Sequence, residues 1–117
     1  MSDETIDLNE FLERVQDDKA LLVELLDIFS DDYKEKRKSL EQALTASNFE
    51  DVRGIAHSLK GASGNISAKN LRNIFLKLEE MGKSKDMAGY QKQLSDMDTQ
   101  FAVLEQRIDQ IKKDFTS

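Results

Sequence analysis

A chain of 117 residues can bury one compact core and is too short for two ordinary domains. Seventeen basic against twenty-three acidic side chains leave a net charge of −6, which disfavours nucleic acid and anionic membrane surfaces as partners. No cysteine is present for disulfide or thiol chemistry, and the absence of proline, with 34% charged residues mixed along the chain, favours helices.

The apolar residues recur at helical spacing, which argues against disorder. No apolar run approaches ~20 residues, and the start, Met1-Ser2-Asp3-Glu4-Thr5, is acidic where a signal peptide would be basic, so a cytoplasmic protein without a membrane segment is expected. Asp7 or Asn9 can cap a short first helix of about three turns that carries Leu8, Phe11, Leu12 and Val15, read as a lid on the core. Asp17 or Asp18 can cap a long second helix, roughly 18–46, with Leu21, Leu22, Leu25, Leu26, Phe29, Tyr33, Leu40, Ala43 and Leu44 on a broad stripe. Ser47 with Glu50 matches a capping box and opens a third helix, roughly 48–66. Ser67 can cap a fourth, roughly 68–82, with Ala68, Leu71, Ile74, Phe75, Leu78 and Met81 inward and Gly82 placed to end it. The last, roughly 86–115, has Tyr90, Leu94, Met97, Phe101, Leu104, Ile108, Ile111 and Phe115 at spacings of three and four. That seam serves either an antiparallel bundle within one chain or a coiled-coil dimer, and three other amphipathic helices in need of a partner favour the bundle. A single domain over 1–117 and a monomer are therefore expected.

The third helix holds the chemistry. It carries the one histidine, His57, and three of the five glycines. Helical spacing gathers Val52, Ile55, Ala56, Leu59, Ala62, Ser63 and Ile66 on one face, with Arg53, His57, Lys60, Gly61 and Gly64 opposite. Each glycine inside a helix costs ~0.8–1 kcal/mol relative to alanine, so Gly54, Gly61 and Gly64 ask for a reason. Arg53 and Lys60, one turn to either side, can attract an anion, while Gly61 and Gly64 clear side chains from the flank of the ring for a macromolecular partner. Neutral imidazole is a nucleophile at physiological pH and can accept a phosphoryl group, with Lys60 balancing its charge. Gly54 has no assigned role.

The run Ala56-His57-Ser58-Leu59-Lys60-Gly61-Ala62-Ser63 resembles the A-H-x-L-K-G-[AS]-[SA] signature of histidine-containing phosphotransfer (HPt) domains. Ala20 to Phe29 resembles that family's leucine-rich second helix, and Asn70-Leu71 to Leu78-Glu79 its helix after the histidine. The resemblance implies an all-α, antiparallel up-down four-helix bundle with a short accessory N-terminal helix. It implies that His57 carries phosphoryl groups between receiver-domain aspartates in a phosphorelay, with Lys60 and Gly61 at the family's lysine and glycine. The implied partners are response-regulator receiver domains, that of a hybrid sensor kinase being one candidate, with magnesium on the receiver and no cofactor on this chain. Ser67 departs from the pattern, since many members have glycine there, and so does the absence of a proline after the second helix.

Other classes fit less well. A histidine kinase usually places an acidic residue where Ser58 stands, and Gly61-Ala62-Ser63-Gly64 lacks the strand context and Gly-Lys-Ser ending of a P-loop. A metal site has one histidine and no cysteine to draw on, and Glu79 and Glu80 read as solvated. Ser63 faces the core, so no hydrolase triad forms with His57 and Ser58. A phosphotransfer module excised from a chemotaxis-type kinase shares the histidine motif, although the chain has its own Met1 and ends soon after the last helix. A bundle used only for protein docking explains the seam but not three glycines around an exposed histidine.

Overall fold

The computed structural model describes residues 5–116; the acidic Met1–Glu4 stretch and Ser117 lie outside the described residues. Five helices follow one another and no strand occurs among the described residues: α1 (Leu8–Arg14), α2 (Lys19–Thr45), α3 (Phe49–Asn65), α4 (Lys69–Ser84) and α5 (Tyr90–Thr116). None is long and apolar enough to cross a membrane. Asp7 caps α1 by accepting from the Glu10 amide, and Asp18 caps α2 by accepting from that of Leu21. With seven residues, α1 makes two turns rather than the expected three.

Three expected helix ends are corrected. Ser47 does not cap α3: it takes φ 53 in the turn out of α2, Asn48 accepts from the Asp51 amide instead, and Glu50 pairs with Arg53 rather than closing a box. Ser67 likewise sits at φ 59 and does not cap α4; Ala68 occupies the cap with no side-chain bond. The Ser67 hydroxyl donates to Glu10 at 2.9 Å and so ties α1 to the α3–α4 turn. This accounts for a serine at a left-handed position that suits glycine, since the side chain carries a contact glycine lacks. Gly82, expected to end α4, lies inside it; the helix runs on to Ser84 and closes at Lys85, whose φ is 56.

α2 packs on α3 and α5, and α4 packs on the same two, so the four long helices close a ring. Along three of these joints the partners run in opposite order: Arg53 by Gly82 and Gly64 by Arg72 between α3 and α4, Lys36 to Ser58 and Phe29 by Ala62 between α2 and α3, and Asp27 to Lys112 and Arg37 to Asp98 between α2 and α5. Burial of Met97, Phe101, Leu104, Ile108 and Ile111 places the α5 seam inside the chain's own core. Tyr33 of α2 stacks on Phe101 there, ring centroids 3.8 Å apart. Each Leu or Phe buried in this way contributes ~1.5–3 kcal/mol, so the stripes hold the helices together more than helix propensity does. Leu21, expected on the inner stripe, is instead exposed, and Leu25 is half-buried, because Leu22 and Leu26, each fully buried, take the centre of the face and leave their predecessors at its edge. Ile6 and Phe11 are fully buried and the Asp7 amide donates to the Ser67 carbonyl, which docks α1 over the α3–α4 turn.

Candidate functional site

Burial of Val52, Ala56, Leu59 and Ser63 fixes the roll of α3 and turns His57 outward, its side chain 66% exposed. The ring does not stand alone. Its Nδ1 lies 2.7 Å from Oε2 of Glu79 on α4, and Lys60 Nζ donates to the other oxygen, Oε1, at 2.6 Å. Glu79 is 3% exposed, which corrects its reading as a solvated carboxylate. A buried carboxylate needs partners, and one turn of α3 supplies both.

The Lys60 hydrogen bond is the main cause that holds the Glu79 carboxyl below its ordinary range; burial opposes it and the His57 contact adds to it. Glu79 is therefore ionised at neutral pH and can only accept. The proton shared with a neutral His57 must then sit on Nδ1, leaving the lone pair on Nε2. The arrangement defines one tautomer, orients the ring and places an anion behind the nitrogen opposite the reactive one.

The other residues singled out from the sequence divide. Lys60 shares the Glu79 carboxylate with the histidine. Arg53 makes its ion pair with Glu50 on its own helix and acts on Glu79 only through space. A Cβ built on Gly61 or Gly54 meets nothing within 4 Å, so both leave open surface. Gly64 is instead a seat for the Arg72 side chain, whose Cδ would lie 3.6 Å from an added Cβ. Ser58 accepts from Lys36 Nζ of α2 at 2.7 Å, and Ser63 is fully buried. On the α2 side, Leu25, Ile28, Phe29, Ala62 and Ile66 line a largely apolar groove of about 150 Å³ between α2 and α3.

Glu79 is the residue that sequence reasoning missed. The signal was available, since it stands four residues after Phe75 and next to Leu78, on the apolar stripe of α4, where a lone carboxylate is a buried polar group in need of a partner. What the periodicity could not supply was the partner.

A family model described as Hpt domain matches residues 24–114, a span that contains His57, Lys60 and Glu79 and begins after α1. The crystal structure of histidine-containing phosphotransfer protein B (HptB) from Pseudomonas aeruginosa PAO1 is similar, with a TM-score of 0.86 and 27% sequence identity over 93% of this chain and 95% of that one. No curated protein matches.

Proposed function

Because the chain belongs to the Hpt domain family, we propose that it is a phosphorelay intermediate in which His57 takes a phosphoryl group from the aspartyl phosphate of one receiver domain and passes it to the aspartate of another. The observation that supports this most directly is the single buried carboxylate that binds His57 Nδ1 and Lys60 together. In the forward step the Nε2 lone pair attacks phosphorus, the N–P bond forms as the P–O bond to the aspartate breaks, and that electron pair leaves with the aspartate carboxylate. The Nδ1 proton stays in place. The phosphorylated ring is then cationic, Glu79 lies against its charge, and Lys60, one turn along the same helix, is assigned to balance the charge of the phosphoryl oxygens. Onward transfer is the reverse step on a second receiver.

We read the chain as a cytoplasmic monomer with no kinase activity of its own, α2 to α5 forming an up-down bundle and α1 an accessory to it. Receiver domains, including that of a hybrid sensor kinase, are the partners, and the magnesium is theirs. Docking is assigned to the α2–α3 face, with open Gly61 next to Ala62 of the apolar groove; Arg53 and Gly64 are assigned to the margin of that surface, Gly64 beneath the Arg72 side chain. The test is phosphotransfer profiling: incubation with phosphorylated receiver domains is expected to put acid-labile, alkali-stable phosphate on this chain, and no label from any receiver sinks the reading.

Two variants probe the parts. Gly61→Gln should fold at least as well as wild type, since its Cβ meets open space and an exposed helix glycine is worth ~0.8–1 kcal/mol less than a better helix former. Its transfer should be roughly tenfold slower, because the longer side chain stands where the receiver must approach; transfer at the wild-type rate would show that no clearance is needed. Lys60→Ala should slow transfer about three- to tenfold, the effect of one partly exposed charge worth ~1 kcal/mol, with little change in receiver affinity. An unchanged rate reduces Lys60 to a structural partner of Glu79.

A further inference from the structure

We infer that Gly82 is a positioning residue: its missing side chain sets the α3–α4 spacing at which Glu79 can reach His57. The inference rests on His57 being the phosphoryl acceptor. A Cβ at Gly82 would lie 2.8 Å from the Arg53 amide nitrogen, 2.9 Å from the Phe49 carbonyl oxygen and 3.0 Å from the Arg53 Cα. All three are backbone atoms of α3, so no side chain can swing away; only separation of the helices relieves the overlap. Gly61, by contrast, has open space, and Gly64 meets only a flexible arginine.

This backbone approach is one turn from the site on both helices. Gly82 follows Glu79 by one turn of α4, and Arg53 precedes His57 by one turn of α3. Atoms at 2.8–3.0 Å must part by roughly 0.5–1 Å to reach ordinary carbon contact. A displacement of that size takes the 2.7 Å bond between Glu79 and Nδ1 to or beyond the ~3.2 Å edge of hydrogen bonding. The Lys60 side chain is flexible and can follow the carboxylate; the imidazole, on a short stem, cannot. The tautomer is then no longer held, and Nε2 shares the proton with Nδ1.

The experiment compares Gly82→Ala with Gly54→Ala, the same change at a glycine whose Cβ meets open space. Ring-nitrogen NMR shifts of the free, full-length protein report the tautomer, and transfer from a phosphorylated receiver reports the rate. Expected are a wild-type protein with a single Nδ1–H tautomer, a Gly82→Ala protein with wild-type helicity but mixed tautomers and at least tenfold slower transfer, and a Gly54→Ala protein unchanged in both. Because Gly82 acts through Glu79, Gly82→Ala should slow a Glu79→Gln protein by less than twofold. Wild-type ring shifts or a wild-type rate in Gly82→Ala overturn the inference, as does an undiminished tenfold effect in the Glu79→Gln background. Loss of helicity in Gly82→Ala overturns it too, since the glycine would then serve the fold. The ring measurement needs no receiver: if no receiver labels the wild type, the relay reading fails while the positioning is still decided by the tautomer.

Discussion

His57→Gln loses the phosphoryl label completely while the protein stays folded. The side chain is 66% exposed and contributes nothing to the core, and the glutamine amide can still donate to the Glu79 carboxylate, so melting should shift by the equivalent of no more than ~1 kcal/mol. What disappears is the only imidazole in the chain. A carboxamide nitrogen has no available lone pair, so no N–P bond can form, and the acid-labile, alkali-stable signature should vanish with every receiver that labels the wild type. Phosphate retained on His57→Gln would place the acceptor on another side chain and end the phosphohistidine reading, whatever the fold.

Glu79→Gln is expected to slow transfer about 10- to 100-fold with the label still on His57. An amide has one acceptor oxygen where the carboxylate has two, so with Lys60 on that oxygen the NH2 faces His57 Nδ1, which must then accept, and the proton moves to Nε2, where the lone pair is needed. It also removes the negative charge that faces the cationic phosphorylated ring. Hydrogen bonds to charged groups contribute ~1.5–3 kcal/mol, and tenfold in rate corresponds to ~1.4 kcal/mol, which sets the range. A wild-type rate would show that the carboxylate only satisfies Lys60. The pH dependence follows from the depressed carboxyl of Glu79: the folded state binds its proton less tightly than the unfolded chain does, so its contribution is fully present above the ordinary value of 4.5 and is lost as pH falls from there through the lower folded value. Denaturant melts of wild type and Glu79→Gln should accordingly differ by their neutral-pH amount down to about 4.5, draw together as pH falls from there through the lower folded value, and show no further loss below it. A gap that widened on acidification would mean that Glu79 is not held ionised.

α3 and α4 show how much of this was legible without coordinates. The outward roll of His57 follows from Val52, Ala56, Leu59 and Ser63 recurring every three or four residues, and that pattern is local. The helix ends were less legible. Ser47, Ser67 and Lys85 all take positive φ as non-glycine residues in turns, and propensity alone reads such serines as caps. For Ser67 the reason is Glu10 on α1, 57 positions away, which accepts its hydroxyl. Gly82 was read as a stop signal because glycine after an apolar run commonly ends a helix; its place inside the last turn of α4 is explained by the backbone of α3 pressed against it.

The sequence by itself determined that five amphipathic helices form and that one histidine, with a lysine a turn away and an open glycine beside it, faces outward. Those are properties of spacing along a helix, written within a few residues of one another. Only the tertiary structure decided what stands behind the histidine. The carboxylate of Glu79 comes from another helix, 22 positions from His57 and 19 from Lys60, and reaches them because Gly82 lets α3 and α4 close to backbone contact. Periodicity shows which face of a helix is buried, not which neighbour it meets, and the tautomer of the imidazole depends on that neighbour.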